Sequence, residues 1–69
     1  MKNTEIRALS VAELHTKIND AREEYRNLRF QQATGELTDF TRIRQTRRLI
    51  ARLTTALTER ERIAKEGEL

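Results

Sequence analysis

Between Val11 and Leu28 the apolar residues recur at Val11, Leu14, Ile18, Ala21, Tyr25 and Leu28, in steps of three and four. That spacing lines them along one side of a 3.6-residue helix. Ser10 and Glu13 stand just ahead of the stripe in the Ser-x-x-Glu order of a capping box, and Leu9 and Leu14 occupy the positions of a hydrophobic staple. At the other end Gly35 follows Ala33 and Thr34. Glycine takes the left-handed C′ conformation without a Cβ clash. The pattern predicts a first helix over about residues 10–34.

A second periodic run places Ile43, Ile50 and Leu57 seven apart, Leu53 between them, and Leu49, Ala56 and Ile63 along a flanking line. Its apolar face is wider than that of the first helix. Thr38 or Asp39 can cap its start and Gly67 lies where the chain could leave it, so the span is about 39–65. A connection of about four residues, 35–38, makes the two helices antiparallel neighbours. The expected fold is all-α, an antiparallel two-helix hairpin in one domain spanning residues 1–69, each helix about 37–40 Å long. Met1 to Leu9 and Glu66 to Leu69 have little to pack on and are expected to fray. Leu49, Ala56 and Ile63 then lack an obvious cover within the chain. Either the first helix tilts across a wide seam, or something else covers that line.

Composition narrows the function classes. With 69 residues, no cysteine and no proline, the chain has neither disulfides nor thiolate-held zinc to support a small core, and help from a partner is expected. The amino-terminal residues hold no signal-like apolar run and no stretch is long and apolar enough to span a bilayer, so an intracellular chain is expected. His15 is the one histidine, and Gly35 and Gly67 are the only glycines. No histidine pair, Cys/His dyad or Gly-rich phosphate loop can be assembled. Glu13, Asp20, Glu23 and Glu24 on an exposed helical face have no concave, water-excluded site to perturb them. Neither an enzyme nor a cofactor is expected.

The basic residues are more informative. Eleven of the fourteen are arginine, and residues 36–58 carry five arginines against two acids. Arg42, Arg44, Arg47, Arg48 and Arg52 fall in an eleven-residue stretch with no acid. Arg44, Arg48 and Arg52, four apart, form a ridge roughly opposite the Ile43, Ile50 and Leu57 line, with no carboxylate three or four residues away to neutralise it. Guanidinium is permanently charged and its fork of donors matches phosphate. Nucleic acid is therefore the leading partner. A merely solvated face is the alternative, and membrane insertion is disfavoured because the apolar stripe is committed to packing. Arg22, Arg26 and Arg29 extend the basic surface along a flank of the first helix. Arg44, Arg48 and Arg52 are the expected central phosphate contacts, with Arg29, Arg42 and Arg47 flanking them, although Arg47 lies beside the seam by angle. Tyr25 falls on the stripe as a core residue. Phe30 lies off it near the loop, where it either packs under the loop against Phe40 or stacks on a base or partner.

Three blocks of residues resemble a known family. They are Glu5, Ile6, Arg7, Leu9, Ser10; then Asn27 to Gln31 with Ala33 to Leu37; then Arg42, Ile43, Arg44 with Arg47 to Leu53. In that order and over nearly the whole chain they are similar to the universal large-subunit ribosomal protein family numbered twenty-nine, of bacterial type. Phe40 and Glu36 depart from its usual loop residues. The resemblance implies a helical hairpin on large-subunit ribosomal RNA, in the cytoplasm, beside the nascent-chain tunnel exit. It also implies a neighbour in ribosomal protein family twenty-three, with chaperone and targeting factors docking nearby. The competing expectation is a free interaction module, dimerising through Leu49, Ala56 and Ile63 into a four-helix bundle.

Overall fold

The computed structural model describes residues 1–37 and 39–67 and is all-α there. Helix α1 spans Asn3–Arg7, α2 spans Val11–Thr34 and α3 spans Thr41–Gly67. The two long helices run antiparallel as a rod of 52 × 19 × 14 Å, and α1 folds back onto α3.

Local chemistry sets the ends of α2. The Ser10 hydroxyl accepts from the Glu13 amide at 3.1 Å, and the Glu13 carboxylate accepts from the Ser10 amide at 3.3 Å, so two orphan donors are satisfied reciprocally. Leu9 packs against the cluster that contains Leu14, which completes the staple. At the far end Gly35 has φ of 80°, and the amides of Glu36 and Leu37 both donate to the Gln31 carbonyl. A Cβ at Gly35 would meet nothing within 4 Å. The requirement for glycine there is the left-handed backbone itself, not space. Asp39 starts α3 by accepting from the Thr41 amide at 3.0 Å. Thr38, the other candidate cap, lies outside the described residues. At its carboxyl end α3 continues through Gly67, beyond the expected 65 and through Glu66, which was expected to fray; Glu68 and Leu69 lie outside the described residues.

The amino-terminal segment does not fray. Five residues form too short a helix to persist by propensity, and α1 is held by tertiary contacts. Ile6 is buried in one cluster with Leu14, Ile18, Ala21 and Leu53. Arg60 of α3 donates through its guanidinium to the carbonyls of Ile6 and Arg7, acceptors that the end of a helix leaves without intrahelical partners. One apolar anchor and one cationic clamp thus hold α1, and the clamp joins residues more than fifty apart in sequence.

The seam on α3 is also displaced from the expected line. Ile43, Ile50 and Leu57 are only half-buried, whereas Thr46 and Leu53 are 6% and 0% exposed, and Arg60 continues their seven-residue spacing. At about 100° per residue the Thr46, Leu53, Arg60 line bisects the angle between the Ile43 and Leu49 lines. A helix with two adjacent apolar lines buries most area by packing on the middle of the face. Leu49 and Ala56 accordingly pack against the core, and α1 lies over the Ala56 side. Ile63, beyond that cover, stays 64% exposed.

Leu53→Ala should cost about 2–5 kcal/mol in urea unfolding, while Ile63→Ala should stay within about 0.5 kcal/mol of the parent. Arg60→Ala should cost about 1–3 kcal/mol and should abolish amide-exchange protection in α1 before that of α2 or α3 changes.

Candidate nucleic-acid interface

Arg44, Arg47, Arg48 and Arg52 are all exposed on α3, and none of them forms an ion pair among the described residues. The displaced seam explains their directions. Arg44 lies on the side of α3 away from α2, and Arg47, expected beside the seam, is carried clear of it. Arg52 comes round toward the flank that α1 occupies. There it borders a groove of about 300 Å³ between α1 and α3. Arg48 and Arg52 also border a second recess, of about 400 Å³, with Met1, Glu24 and Thr46. The ridge is therefore flanked on one side by the amino-terminal segment.

The flanking residues differ in availability. Arg42 donates to the Glu24 carboxylate of α2 at 2.9 Å, the single ion pair among the described residues. Both side chains are about half exposed, so the pair is worth little in stability. It nonetheless offsets one of the five charges of the acid-free stretch. Arg29 holds its guanidinium 6.0 Å from the centroid of the Tyr25 ring, at the outer limit of a cation–π contact. Tyr25, expected in the core, is only half-buried and lines a recess with Arg22 and Arg26. Arg22 and Arg26 border a shallow recess with Glu23, so that flank is mixed in sign and not uniformly basic.

Phe30 is 69% exposed and Phe40 54%. Neither is packed under the loop. Of the acids on α2, Glu13 is engaged in the cap and Glu24 with Arg42. Asp20, Glu23 and His15 are exposed.

A basic face on a helical rod is not diagnostic alone, and the comparison with known proteins decides its context. A family described as "Ribosomal L29 protein" matches residues 4–60. The chain belongs to this family. It is 52% identical over 61 residues to the large ribosomal subunit protein uL29 of Bacillus cytotoxicus, covering 88% of this chain and 92% of the relative. The counterparts from Bacillus mycoides (strain KBAB4) and Bacillus cereus (strain B4264) match to the same extent. The family match begins inside α1 and ends on Arg60, so it takes in both partners of the clamp.

Three participants escaped the sequence pattern: Arg60, Arg7 and Glu24. Arg60 carried a legible signal, since it continues the seven-residue spacing of Thr46 and Leu53. Arg7 and Glu24 carried none, because their roles depend on which flank of α3 each meets. Glu24→Gln should release Arg42 and shift elution of the chain from a heparin column to higher salt. Unchanged elution would mean that Arg42 contributes nothing to polyanion binding.

Proposed function

We propose that this chain is a structural constituent of the large ribosomal subunit that binds ribosomal RNA through the α3 arginines. Membership of the L29 family supports the ribosomal part, and that family is one of structural proteins, not enzymes. The observation that carries RNA binding is the exposed ridge of Arg44, Arg48 and Arg52, with no carboxylate paired to it among the described residues. Folded RNA is recognised largely through shape, phosphates and 2′-hydroxyls. A rigid rod with a row of guanidiniums offers complementary donors at fixed positions, and each engaged phosphate releases condensed counterions. Arg44, Arg48 and Arg52 make the central contacts, with Arg47 and Arg29 beside them. Arg42 joins when the RNA competes it away from Glu24.

The family also supports a finer location: the edge of the nascent-chain tunnel exit, next to a family-twenty-three ribosomal protein and close to where chaperone and targeting factors dock. The chain works in the cytoplasm within the subunit, and no helix among the described residues is long and apolar enough to cross a membrane. The alternative of a homodimeric four-helix bundle has lost most of the surface it needs. Leu49 and Ala56 are packed within the chain, which leaves Ile63 as the one exposed member of that line.

If about five phosphates are engaged, affinity for large-subunit RNA should fall with salt on a log–log slope near about −4. Joint replacement of Arg44, Arg48 and Arg52 by glutamate should abolish incorporation into large subunits that withstand a high-salt wash, with helical circular dichroism nearly unchanged. Retained incorporation would refute the proposed contact residues.

A further inference from the structure

The groove between α1 and α3 is explained by neither hairpin packing nor the outward ridge. Its apolar lining comes from Ala51 and Ala56 with the edge of the buried Ile6, and Arg7 from α1 lines it together with Arg52, Thr55 and Glu59 from α3. Neither Arg7 nor Arg52 is ion-paired among the described residues, and Glu59 accepts no hydrogen bond there. The groove exists because the Arg60 clamp holds the end of α1 against α3.

We propose that this groove receives one unpaired nucleotide of the bound RNA, with its base against the apolar lining of Ala51 and Ala56. Arg7 and Arg52 hold the adjoining phosphates, and the Glu59 carboxylate accepts from an exocyclic amino group of the base. The inference rests on the RNA-binding reading and adds a base-sized subsite to it. Size and chemistry select this occupant. About 300 Å³ is at the small end of ligand pockets, and a helix about 10–12 Å across cannot enter it. An acidic peptide would match the two guanidiniums but would set its own carboxylates against Glu59. A nucleotide combines an apolar face, an amino donor and an anion in one unit, and splayed-out bases of this kind are what proteins contact most specifically in RNA. Arg60 is then a positioning residue, which sets Arg7 opposite Arg52 without itself meeting the RNA.

The test uses the full chain and protein-free large-subunit ribosomal RNA, with filter binding across a salt series and chemical probing of unpaired bases. Thr55→Trp fills the groove without changing charge, and the hydroxyl it removes bonds only the Ala51 carbonyl of its own helix. It should weaken binding by about tenfold at every salt concentration, leave the salt slope unaltered, and expose one or a few bases that the parent chain protects. Arg7→Ala should reduce the slope by about 0.7–0.9 and expose the same bases. The double variant Arg44→Glu with Arg48→Glu, neither of which lines the groove, reports on RNA binding separately. Parent-like affinity and protection with Thr55→Trp and Arg7→Ala, alongside weakened binding of the double variant, would overturn the groove and leave RNA binding intact. Unchanged binding by all three would overturn both. A Thr55→Trp defect seen only when the other large-subunit proteins are present would assign the groove to a protein neighbour and likewise overturn the proposal.

Discussion

Burial of a wide apolar face against a narrow one is the constraint from which the rest of this molecule follows. The α2 stripe is a single line of Leu14, Ile18, Ala21 and Leu28, whereas α3 presents two adjacent lines. One narrow helix cannot cover both. The seam therefore settles on the middle of the α3 face, through Thr46 and Leu53, and a strip of apolar surface remains on one side. In so small a chain, with no cysteine for a disulfide to compensate, leaving that strip wet would cost an appreciable part of the stability. Ile6 of α1 and Leu9 just after it cover that strip.

The same rotation distributes the charge. Moving the seam toward Leu49 and Ala56 carries Arg47 out of the interface and brings Arg52 to the α1 flank, while Arg44 and Arg48 remain outward. Guanidiniums held on a rigid rod, four residues apart and with no carboxylate paired to them among the described residues, repel one another. Packing thus fixes the direction of the cationic surface. Arg60 shows the opposite fate for the same side chain. Its angle turns it into the seam, where the ends of α1 supply carbonyls, so its charge is used in folding and not in binding. Arg42 is intermediate, held by Glu24 at a surface where solvent keeps the pair exchangeable.

Much of this was legible before any coordinates. The capping box of Ser10 and Glu13, the Gly35 turn, the limits of α2 and the outward direction of Arg44 and Arg48 follow from residue type and spacing. These properties are local, because a helix period and a cap depend on residues within four positions of one another. The fraying assigned to Met1 through Leu9 was wrong for a corresponding reason. No local signal stabilises a five-residue helix, and its partners Leu53 and Arg60 lie some fifty residues away. Of the two readings open for Phe30, packing under the loop against Phe40 is excluded by the exposure of both rings.

The amino-acid sequence by itself determined the two long helices, their antiparallel pairing and an arginine row with no acid near enough along the helix to neutralise it. Only the tertiary structure decided which line of α3 is buried, that α1 exists, and that Arg60 belongs to the fold while Arg7 and Arg52 share a groove. Periodicity fixes the relative angles of side chains on one helix. It does not fix the rotation of that helix against its neighbours, which is set by the total apolar area that all three helices can bury together.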